Sequence, residues 1–85
     1  MTRTQPQQRS ELVEIAWRVQ SPRGGTITTC ALYRLAGRGV EVRSYHGAED
    51  DLLGSHQVVD IRTARQLAGE WHDAMIAKGF VDASE

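Results

Sequence analysis

The chain lacks most of the usual means of holding a small domain together. Among its 85 residues there is a single cysteine. Cys30 therefore closes no internal disulfide and shares no thiolate metal cluster. Lysine is nearly absent too, with Lys78 standing alone beside nine arginines in a chain of net charge −1. That balance argues against the domain-wide basic excess of most nucleic-acid-binding modules. No apolar run is long enough to cross a membrane as a helix. The opening "MTRTQPQQRS" has no apolar stretch of the secretory kind. The expectation is a cytoplasmic protein with a loose N-terminal arm over residues 1–10 and one domain over 11–85, since so short a chain builds a single core.

Catalytic and ligand-binding signatures are missing as well. The stretch "YHGAEDDLLGSHQ", residues 45–57, gathers His46, Glu49, Asp50, Asp51 and His56. Zinc ligands come in pairs a few residues apart, and no such histidine pair occurs. The better reading is a solvated loop with a turn of helix at "AEDDLL", anchored to the core by Leu52 and Leu53. "WHD", residues 71–73, resembles part of a triad on paper, but adjacent residues on a helix point in different directions. Cys30 sits mid-strand among threonines and alanine, without the neighbours that activate a thiolate. "PRGG" and "GRG" lead into no phosphate-binding helix and read as turns. No catalytic, metal or cofactor-binding residue is therefore assigned, and no cofactor is expected.

What is present is a pattern of strands followed by a helix. In "LVEIAWRVQ" Val13, Ile15, Trp17 and Val19 stand at alternate positions, with Glu14, Arg18 and Gln20 between them, the period of a half-buried strand. "SPRGG" turns the chain, and "TITTCALYRLA" returns it as a β-branched strand with Ile27, Ala31, Tyr33 and Leu35 assigned to the inner face. After "GRG" comes "VEVRSY", with Val40 and Val42 inward and Glu41, Arg43 and Tyr45 outward. "SHQVVD" offers a short fourth strand. From Asp60 the period lengthens, and Ile61, Ala64, Leu67, Ala68, Trp71, Ala74 and Met75 trace one helix face. Asp60 suits the N-cap and Gly79 the left-handed C-terminal position. Gly69, inside the helix, suggests close approach to the sheet.

The fold expected is α+β: an antiparallel meander of three to four strands with one C-terminal α-helix packed on one face. Ile15, Trp17, Tyr33 and Val42 should meet Leu67, Trp71 and Met75 in the core. The other face would then collect Ala16, Arg18, Cys30, Leu32, Arg34, Arg43 and Tyr45, an apolar centre with a basic rim. Charge supports a partner there: residues 18–43 hold five arginines against Glu41 alone, while residues 44–85 hold three cations against eight acids. Small domains without staples commonly associate with their own copies. A homodimer or another protein contact through this face is the first functional expectation. Single-stranded nucleic acid, with arginines on phosphate and Tyr45 stacked on a base, is the second. An enzyme with an unrecognised site is the third.

Overall fold

A computed structural model describes residues 10–83. Its elements are β1 (Ser10–Gln20), β2 (Thr28–Leu35), β3 (Val40–His46), β4 (Leu52–Val58), α1 (Ile61–Ala77) and β5 (Val81–Asp82). The strands form one antiparallel sheet in the order β4-β3-β2-β1-β5, with α1 across one side. The expected α+β meander with a C-terminal helix is the architecture observed, extended at both edges. "LLGSHQV" makes a full fourth strand, and "VD" after the helix pairs with Val19 and Gln20. Of the expected N-terminal arm, residues 1–9 lie outside the described residues, and Ser10 already belongs to β1.

The turns follow from their residues. The Gly24 amide donates to the Ser21 carbonyl at 2.8 Å around Pro22, and Gly24 and Gly25 take positive φ. In α1, Asp60 accepts from the Thr63 amide at 2.9 Å. This bond holds the Asp60 carboxyl below its ordinary value. At the other end the Phe80 amide donates to the Met75 carbonyl and Gly79 to Ile76, the paired bonds of a Schellman cap around a left-handed glycine.

The two sides of the sheet are not divided as strict alternation suggests. Residues directly opposite in an antiparallel pair share a side. Leu32 opposes Val42 and Arg34 opposes Val40, so β2 turns Thr28, Cys30, Leu32 and Arg34 toward the helix. Cys30, Leu32, Val40 and Val42 are buried there with Ala64 and Ala68, flanked by Val13, Ala16, Trp17, Val58, Ile61, Leu67 and Trp71. Ala31 and Tyr33, expected in this core, lie instead on the far side with Tyr45 and Ile15. β2 is buried on both faces from Thr28 to Tyr33, so hydrophobicity alone gives it no phase.

β1 is slipped twice. Register shifts between Leu12 and Glu14 and between Ile15 and Trp17 mark bulges at Val13 and Ala16. Each puts two consecutive residues on the helix side, which is why Ala16 and Trp17 both pack beneath α1 while Ile15 falls to the far side. The Trp17 indole donates to the Ala68 carbonyl at 2.7 Å, tying the bulged strand to the helix.

Gly69 is exposed, and a Cβ built there meets nothing within 4 Å. The expected close approach to the sheet is absent, so this glycine only weakens its helix. Gly69→Ala is expected to stabilise the protein by about 0.5–1 kcal/mol through helix propensity, read as a raised melting temperature.

Candidate interaction surface

Register decides what became of the seven residues expected on one open face. Cys30 and Leu32 have no exposure at all and form the centre of the helix-side core. Ala16 packs on that same core, and Arg34 shares its side of the sheet, at the rim, 3.9 Å from Glu11. These four therefore do not belong to a far-side surface. Arg18, Arg43 and Tyr45 do lie there, since Arg18 opposes Thr29, Thr29 opposes Tyr45, and Arg43 opposes Ala31.

The far side is built mainly from its own contacts. The Arg43 guanidinium lies 4.0 Å from the centre of the Tyr33 ring and 2.8 Å from Glu41, and it also donates to Ser10 Oγ. The Tyr33 hydroxyl donates to Glu49 Oε2 at 2.9 Å, binding the β3–β4 turn to the sheet. Burial, and then this carboxylate, raise the Tyr33 hydroxyl well above its ordinary value. Tyr45 is only 8% exposed, which leaves little ring for a base to stack on.

Burial likewise pushes the Cys30 thiol up to about 12 from an ordinary 9.0. A raised pKa stabilises the fold fully while the unfolded thiol is still protonated, and that contribution is lost as pH climbs from 9 toward 12. Cys30→Ala is expected to flatten part of the alkaline loss of stability, measured by urea unfolding across that range. Native protein should react with thiol reagents only as fast as it unfolds.

A cleft of about 420 Å³, missed in the sequence, opens between β1, α1 and β5. Glu14, Arg65, His72 and Asp82 meet there over Trp17 and Gly69. Arg65 donates to Glu14 through two nitrogens, at 2.8 and 3.3 Å, and this pairing raises the Arg65 pKa further. His72 Nε2 lies 2.6 Å from Asp82 Oδ1, and its ring is tilted against Trp17 with centroids 5.7 Å apart. Each charged group in the cleft thus has a partner from another element, and no serine, threonine or cysteine lines it. The arrangement clamps β5 and β1 to the helix. Helical spacing alone could have placed Arg65 and His72 on one face, but their partners come from a bulge and a two-residue strand.

Elsewhere among the described residues, no three His, Cys, Asp or Glu side chains are grouped to hold a metal ion. Nor is any helix long and apolar enough to cross a membrane.

The outer edge of β4 combines an unpaired strand margin with exposed apolar side chains. Leu52 is 47% exposed, Leu53 59% and Val59, just past the strand, 80%. The expected anchoring of Leu52 and Leu53 in the core fails, because "DD" lies in a turn closed by the Asp51 amide on the Ala48 carbonyl and both leucines enter an edge strand. "LLGSHQV" carries no charged residue and no proline, two of the devices that commonly keep a sheet edge from pairing, and its one bulge, at Leu53, leaves Gly54–Val58 regular. Among the described residues no strand lies beyond it.

Comparison with known proteins finds no matching family model, no similar curated protein and no similar solved structure. Function is therefore argued from geometry alone.

Proposed function

We propose that this domain is a non-enzymatic interaction module that works by self-association, as a homodimer. The observation that carries the reading is an uncharged, uncovered sheet edge with exposed Leu52 and Leu53 at one end and Val59 at the other. An unpaired strand edge flanked at both ends by exposed apolar side chains gains by being covered. A fold this small, with no disulfide, also gains stability from apolar area buried between copies. The far side, with Arg18, Arg43 and Tyr45, contributes less, because its aromatic rings are already enclosed.

Sedimentation at micromolar concentration tests the reading, with a dimer expected. A monomer at every concentration would remove it. Single-stranded nucleic acid remains the second reading, supported by Arg18 and Arg43 sharing one side of the sheet. Titration of labelled strands at two salt concentrations checks it, since phosphate contacts are strongest at low salt and binding absent there ends the idea.

A further inference from the structure

We infer that two copies of the chain join edge to edge through β4, about a two-fold axis at His56, into one continuous sheet. The inference rests on the self-association proposed above and assigns its surface. Hydrogen-bond phase places the axis, and the apolar residues and charges at the two ends of the edge agree with antiparallel pairing about it.

The first of these is hydrogen-bond phase. The Leu35 amide donates to the Gly39 carbonyl, and the His46 amide to the Asp51 carbonyl. Bonded and non-bonded pairs alternate along antiparallel strands, so the even-numbered residues of β3 bond to β4, where they face Val58, His56 and Gly54. The backbone groups of Ser55 and Gln57 therefore point away from the sheet. An axis at His56 sets Ser55 of one copy opposite Gln57 of the other, twice, with both partners offering outward groups. His56 then faces its own copy in the non-bonded pair between them.

The second is apolar matching. The same axis brings the Leu52–Leu53 end of one copy toward Val59 of the other, at both ends of the seam, just past the regular stretch Gly54–Val58 that a bulge at Leu53 bounds. The three residues are among the most exposed large apolar side chains described. Val58 meets the glycine at position 54, so nothing bulky opposes it.

The third is charge. The turn before β4 carries Glu49, Asp50 and Asp51; beside its other end stand Arg38 and Arg62. One acid at each end is already engaged, Glu49 by the Tyr33 hydroxyl and Asp60, at the basic end, in capping α1, which leaves Asp50 and Asp51 facing Arg38 and Arg62. Antiparallel pairing brings the acidic end of each copy to the basic end of the other. A foreign extended peptide could take the backbone bonds, but only a second copy is matched to the edge in bonds, apolar residues and charge together.

The opposite edge makes the contrast. β1 carries two bulges inside its length where β4 has one near its start, at Leu53, and it adds the charged Glu11, Glu14 and Arg18, and β5 over its last residues.

The test combines sedimentation with cross-linking of the full chain. In the non-bonded pair at the axis the two Cα atoms would lie about 4.5 Å apart, within disulfide reach. His56→Cys is expected to form an intermolecular disulfide under mild oxidation. Leu12→Cys, at the opposite edge, is expected to form none. Ser55→Pro removes an outward amide while sparing the β3–β4 ladder, and is expected to raise the dimer dissociation constant about tenfold or more, with an unchanged circular dichroism spectrum. Should Ser55→Pro disturb the fold, Gln57→Lys gives the same readout by placing two ammonium groups in the seam. A dimer that shows no His56→Cys bridge and is indifferent to Ser55→Pro and Gln57→Lys overturns the axis and leaves self-association standing. Wild-type protein that is monomeric throughout overturns both.

Discussion

Leu32→Ala is expected to cost about 3–5 kcal/mol of stability, the range for emptying a fully buried leucine site whose walls collapse only in part. Leu32 has no exposure and is in the same cluster as Cys30, Val42, Ala64 and Ala68. Those neighbours are held by the sheet and helix on which they sit, so a void beneath α1 is poorly filled. A domain of this size is commonly stable by only about 4–13 kcal/mol, so a large share of the fold's margin goes with one side chain. Urea denaturation measures it. The result also separates two assignments of Leu32: a core residue lowers the unfolding midpoint at any protein concentration, whereas an interface residue would change association instead. A loss below about 1 kcal/mol would be incompatible with the helix-side placement.

The second large effect comes from adding atoms. Ala64 and Ala68 are the two buried residues of α1, and their small side chains let the helix lie close on the sheet. Ala68→Leu is expected to destabilise by about 1–3 kcal/mol or more, because the extra carbons meet the close-packed sheet and must be accommodated by lifting α1 or straining rotamers. Lifting the helix also stretches the bond from the Trp17 indole to the Ala68 carbonyl. A red-shifted tryptophan fluorescence alongside the lowered melting temperature is the measurement that ties the loss to this contact. The effect of Gly69→Ala, one residue on, has the opposite sign, which makes the pair a test of which way the helix faces.

Much of this fold is legible in the residues. Asp60, Gly79 and the period-3.6 stripe place α1, and the glycines of "PRGG" and "GRG" place the first two reversals. Local chemistry suffices there, because caps and turns are decided by a few adjacent residues. The faces of β2 were not legible from alternation, since both are apolar. Yet a signal existed: if "GRG" closes its hairpin on Leu35 and Gly39, then Val42 must oppose Leu32, and an inward Val42 requires an inward Leu32. Pairing arithmetic across a turn would have moved Cys30 and Leu32 out of the proposed surface. The bulges at Val13 and Ala16 had no such marker, as neither is a glycine and both sit in a run that reads as regular strand. β5 is two residues long and exists only through its partner β1. The candidate edge was legible in part: "SHQVVD" suggested a strand, but not that it would be outermost.

The two sides of the sheet's border differ in a way that bears on the size of any assembly. A sheet that can add strands at both margins has no natural end, and association of that kind runs on into fibres. Here the bulges of β1 and the short β5 break up one margin, and pairing through β4, as proposed, would consume the other. Two copies joined in this way would present to a third only the bulged, charged margin of β1, covered by β5 at Val19 and Gln20. In the proposed assembly, the same two-residue strand that looks like an afterthought to the helix would help set the stoichiometry at two.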